Sequence, residues 1–109
     1  MTSALTEGLS STIQAQFEVL RQRFVDGLPA RWLEIHDAVA PLALQGTLHR
    51  LSGSAGSYGF ERLSQCAREA EALAISGAHV ALAQALNLLE TEIGRARSAV
   101  RDGRPPDSS

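Results

Sequence analysis

Leu48-His49-Arg50-Leu51-Ser52-Gly53-Ser54-Ala55-Gly56-Ser57-Tyr58-Gly59 carries two different faces of one helix. At about 100° per residue, Leu44, Leu48, Leu51, Ala55 and Tyr58 recur at spacings of four and three and form a single apolar stripe. Gly46, His49, Gly53 and Gly56 recur in the same way on nearly the opposite side. An interior glycine costs a helix roughly 1 kcal/mol relative to alanine, so three of them around one imidazole demand an offsetting use. Residues four apart on a helix are neighbours, with Cβ atoms roughly 5–6 Å apart, so Gly53 leaves bare the patch beside His49. An exposed imidazole is largely neutral near pH 7 and keeps a lone pair for nucleophilic attack. A lone helical histidine is more often an ordinary surface residue, and interior glycines also mark close helix packing. The coincidence of His49 and the glycines on the face opposite the leucines makes His49 the candidate chemical centre.

Three further stripes flank this one. Ile13, Phe17, Leu20, Phe24, Leu28, Trp32, Ile35 and Val39 keep a spacing of three or four through Gly27 and Pro29. A proline removes a helix hydrogen bond and bends the axis, which predicts one long kinked helix from Ser11 to Ala40, or two nearly collinear ones, with Ser10 or Ser11 as N-cap. Pro41 suits the first turn of the His49 helix. After Gly59 a helix is predicted over 60–76, with Leu63, Cys66, Ala67, Ala70 and Leu73 inward and Gly77 ending it. The last, over 78–100, repeats Leu82, Leu86, Leu89, Ile93, Ala96 and Val100. Four stripes with short connections predict an all-α fold, an antiparallel up-down four-helix bundle with a long kinked first helix, occupying residues 1–100. Residues 101–109, Arg-Asp-Gly-Arg-Pro-Pro-Asp-Ser-Ser, have no periodicity and are expected to form a flexible tail.

Composition narrows the function classes. A chain of 109 residues is one domain's worth, and 44% hydrophobic residues with only five aromatics favour helices packed through aliphatic side chains. Ten basic against twelve acidic residues, with no basic cluster, argue against nucleic acid as a partner. Cys66 is the single cysteine, so no internal disulfide forms, and His36, His49 and His79 are too scattered to suggest a metal site. His36 and His79 read as structural residues at a core edge and in a first helical turn. A cytoplasmic setting is expected, since the sequence shows no leader pattern and no apolar run of membrane-spanning length.

His49-Arg50-Leu51-Ser52-Gly53-Ser54-Ala55, followed by Gly59, Leu63, Cys66 and Glu71, resembles the signature of histidine-containing phosphotransfer (HPt) domains of two-component phosphorelays. That signature is approximately His-x-Leu-Lys-Gly-Ser/Ala, then a glycine and an amphipathic helix. The motif spans about Leu48 to Glu71, and the general pattern covers most of the chain. The resemblance implies a free-standing carrier that takes a phosphoryl group on His49 from a receiver-domain aspartate and passes it to a response-regulator aspartate. It implies that Glu71 hydrogen-bonds the imidazole; Ser52, Gly53, Gly56 and Arg50 are the candidates to border the phosphoryl pocket or docking face, and Arg50 and Arg68 have the chemistry to attract either a phosphoryl group or an acidic partner surface. Ser52 stands where the family usually has a lysine that helps hold the phosphoryl oxygens, and it offers a hydroxyl there but no charge. The implied partners are receiver domains of hybrid histidine kinases and of response regulators, with Mg²⁺ on the receiver and no cofactor on this chain. No Gly-rich phosphate loop is present, so neither ATP binding nor autokinase activity is expected. A histidine kinase dimerisation domain would need a dimerising two-helix hairpin, whereas four stripes predict a monomer. The loss of the lysine gives weight to an alternative, a docking protein or antagonist that binds receiver or kinase domains without carrying phosphate.

Overall fold

Gly27 and Pro29 divide the first stripe into two helices. The structure is a computed structural model that describes the backbone of residues 2–105 and the side chains of residues 11–105. Its helices are α1 (Thr2–Asp26), α2 (Leu28–Asp37), α3 (Pro41–Ser57), α4 (Glu61–Ser76) and α5 (His79–Arg101), with no strand among the described residues. Pro29 has no N–H to donate into the helical ladder, yet Gly27 keeps near-helical dihedrals (φ −83°, ψ −8°), so α2 continues from α1 as one broken arm. That arm, α3, α4 and α5 make the antiparallel four-helix bundle: α3 packs on α2 and α4, α4 packs on α5, and α5 returns against α1.

The N-cap expected at Ser10 or Ser11 is overturned, because both residues lie inside α1, which begins at Thr2. Ala4, Leu5, Glu7 and Leu9 are good helix formers, and Gly8 alone does not break the run. The inward stripe of the first arm is also shorter than expected. Phe24, Leu28 and Ile35 are buried and Phe17 and Trp32 partly so, but Ile13, Leu20 and Val39 are exposed. Phe17 already lies level with Tyr58 at the far end of α3, their rings 5.9 Å apart, so Ile13 lies beyond the core that would cover it. Val39 falls in the turn between α2 and α3.

Leu48, Leu51, Ala55, Phe60, Leu63, Ala67, Ala70, Leu89, Ile93 and Ala96 fill the core. Tyr58 closes one end of it: its ring stands 5.3 Å from that of Phe24, and its carbonyl accepts a hydrogen bond from Arg21 Nε. Gly59, at φ 84°, occupies the left-handed region that ends a helix at little cost only for glycine. Phe60 N–H then returns to the Ala55 carbonyl and Gly59 N–H to that of Gly56, satisfying the last carbonyls of α3 and turning the chain into α4.

At the other terminus the predicted tail boundary moves. Arg101 is helical, and Gly103, at φ 70°, repeats the same turn, with Arg104 N–H bonded to the Ala99 carbonyl. The Asp102 carboxylate lies between Arg101 and Arg104, and the hydrogen bond from Arg101 holds its carboxyl below the usual carboxylate range. The remainder of the expected tail, 106–109, lies outside the described residues.

Candidate functional site

Small residues let α3 and α4 approach closely, and that approach builds the site. Ser52 and Gly56 of α3 meet Ser64 of α4, with Ala55 and Ala67 buried alongside; the buried Ser64 hydroxyl donates to the Ser52 carbonyl at 2.8 Å. Because the two helices run antiparallel, two turns back along α3 from Gly56 to His49 are matched by two turns forward along α4 from Ser64 to Glu71. His49 Nδ1 there lies 3.2 and 3.3 Å from the two Glu71 carboxylate oxygens. An ionised carboxylate only accepts, so the bond requires the proton on Nδ1 and leaves Nε2 with its lone pair. The imidazole is 76% exposed while the Glu71 side chain is 20% exposed, so the acceptor is held by packing and the ring stands in the open.

The residues expected around the histidine divide into two groups. Gly53 meets the expectation, since a Cβ built there finds no atom within 4 Å and the surface beside the ring is open. Gly56 belongs to the helix contact instead: a Cβ would stand 3.4 Å from Ser64 Oγ. Gly46 makes room for the Arg50 guanidinium, which folds back along α3 and donates to Thr47 Oγ1 at 3.3 Å. Ser52 departs furthest from expectation. It is buried, and its hydroxyl donates to the His49 carbonyl at 2.8 Å rather than facing the ring nitrogens. Position 52 lies on the side of α3 that turns towards α4, where a short side chain bonds its own backbone.

His49 stands between two shallow clefts. On one side α4 contributes Arg68, Glu71 and Ile75; on the other α2 contributes Arg31 and Glu34, beside Arg50. Arg31 and Glu34 carry no periodic signal linking them to His49, because the link is the tertiary packing of α2 on α3. His36 bonds Asp37 at 3.2 Å with its ring 6.4 Å from that of Trp32, away from the site, and His79 is exposed at the start of α5. Among the described residues no three His, Cys, Asp or Glu side chains gather as a metal-ligand set, and no helix is long and apolar enough to cross a membrane.

The family model described as Hpt domain matches residues 19–99, a span that contains both His49 and Glu71. No curated protein and no solved structure matches the chain.

Proposed function

The chain belongs to the Hpt domain family and is a phosphotransfer module of a phosphorelay; from that premise we propose that His49 is its phosphoacceptor. The exposed imidazole with Nδ1 committed to Glu71 is the observation that carries the reading. In the proposed step the Nε2 lone pair attacks the phosphorus of an aspartyl phosphate on a receiver domain. The N–P bond forms as the P–O bond breaks, and the carboxylate returns to the receiver. Nδ1 keeps its proton, so the phosphorylated ring is cationic and the Glu71 carboxylate stabilises it. The same step in reverse delivers the phosphoryl group to an aspartate of a second receiver.

The open surface at Gly53 supports close approach of such a partner. The partners proposed are receiver domains of hybrid histidine kinases and response regulators, with Mg²⁺ supplied on the receiver side. The chain serves as a cytoplasmic, monomeric carrier rather than as a kinase. The neutral, buried Ser52 favours a second reading, a docking protein that binds receivers without carrying phosphate.

Incubation of the wild type and His49→Ala with phosphorylated receivers separates the two. Acid-labile, base-stable phosphate on the wild type alone is the expected result. Binding without label across a broad panel of receivers would favour the docking reading.

A further inference from the structure

The proposed phosphohistidine poses an electrostatic problem on its own surface. A phosphoryl dianion on Nε2 of His49 would share the cleft with the Glu71 carboxylate, which is 3.2 Å from Nδ1 across the ring, and like charges gathered in one cleft repel. The offsetting cation does not come from the face of α3 that bears the histidine. Gly53 has no side chain, the Ser52 hydroxyl is occupied by the His49 carbonyl, and Arg50 is turned back onto Thr47.

We infer that Arg68, on α4, is the residue that grips the phosphoryl group carried by His49. This rests on the reading of His49 as phosphoacceptor. Arg68 lines the same cleft as His49, Ser52 and Glu71, and its side chain is exposed. It lies three residues before Glu71, a spacing at which helical ion pairs form, yet the Glu71 carboxylate is directed to His49 instead. Among the described residues Arg68 makes no hydrogen bond, ion pair or ring contact. The other arginines near the histidine are engaged: Arg50 with Thr47, and Arg31 over the Phe24 ring at 5.6 Å. The guanidinium of Arg68 is therefore free to present two parallel N–H groups to phosphoryl oxygens. Positive charge absent from position 52 is supplied across the helix pair.

The test uses phosphoramidate, a small donor that phosphorylates an imidazole nitrogen and releases ammonia, so that no receiver surface enters the rate. Labelling of His49 is followed by ³¹P NMR and intact mass for the wild type, Arg68→Ala, Arg68→Lys, Arg97→Ala and Ser52→Lys/Arg68→Ala. Arg68→Ala is expected to label about tenfold more slowly, the loss of one charge-assisted contact, and to shift the phosphohistidine ³¹P resonance. Arg68→Lys recovers part of the rate, Ser52→Lys does so in the Arg68→Ala background, and Arg97→Ala, on α5 in a separate cleft beside Gln22 and Asp26, stays within about twofold of wild type. Wild-type rate and resonance in Arg68→Ala would overturn the assignment and leave His49 as acceptor. An unlabelled wild type would overturn the acceptor reading itself.

Discussion

His49 Nδ1 and Glu71 Oε1, 22 positions apart in sequence, stand 3.2 Å from one another across the α3–α4 contact. A carboxylate in that place selects the Nδ1–H tautomer and would oppose the positive charge that the proposed phosphorylation puts on the ring. Glu71→Ala is expected to lower the single-turnover transfer rate about tenfold, the range of one hydrogen bond to a charged group. Glu71→Gln, which accepts the bond without charge, should fall between. Imidazole ¹⁵N shifts should show the Nδ1–H population dropping in the alanine variant. Unchanged shifts and rates together would remove Glu71 from the mechanism.

Gly53 is open where Gly56 is not, and the two glycines should respond in opposite ways. With no atom within 4 Å of a Cβ, Gly53→Ala gains helix propensity without a clash, a stabilisation of roughly 0.5–1 kcal/mol readable as a higher melting temperature. The added methyl stands one turn from His49 on the proposed docking side. Transfer from a receiver should slow several-fold, while labelling by phosphoramidate, which needs no close protein surface, should not.

At Gly56 the neighbour is Ser64, whose hydroxyl already bonds the Ser52 carbonyl. Alanine places its methyl at ordinary contact distance and is expected to be nearly neutral. Leucine must separate α3 from α4, costing about 2 kcal/mol by urea denaturation. The same change pulls Glu71 away from His49, so the ¹⁵N signature of the Nδ1–H bond should weaken with it. A Gly56→Leu variant as stable as wild type would show that the helices are not tightly apposed there.

The bundle was legible because each helix repeats its apolar residues over several turns, and because Pro41, Gly59 and Gly77 mark boundaries by their own backbone chemistry. Periodicity finds a face but not how far a neighbour extends along it, which is why Ile13 and Leu20 read as core and are exposed. It also placed three glycines on the histidine's face, although only Gly53 leaves open space; Gly46 faces Arg50 and Gly56 faces Ser64. Those distinctions depend on where side chains and a second helix lie. Ser52 shows the same limit, since a hydroxyl that bonds its own backbone looks in sequence like one free to meet a ligand. Arg31 and Glu34 enter the surroundings of His49 only through the packing of α2 on α3.

Cys66, half-buried on α4, has a thiol pushed above its ordinary value of 9.0, first by burial and then by the carboxylates of Glu92 and Glu69, with Arg62 and Arg95 opposing them. The thiolate is the reactive form, so alkylation by iodoacetamide at pH 8 should run several-fold slower than for an unfolded control peptide, and should still be rising at pH 9. Glu92 also contacts Arg62 and Arg95, at 3.8 and 3.6 Å. Glu92→Gln therefore removes a raising charge and leaves two lowering ones without that counter-charge, and should speed alkylation. The same shift sets the sign of a stability effect. The folded chain holds the thiol proton to higher pH than the unfolded chain, so this contribution is fully present below the ordinary thiol value and is lost as pH rises through the raised one. Urea midpoints of the wild type should fall more than those of Cys66→Ala between pH 8 and pH 10. Parallel midpoints would mean that Cys66 titrates alike in both states, and that the core around α4 and α5 is wetter than its burial implies.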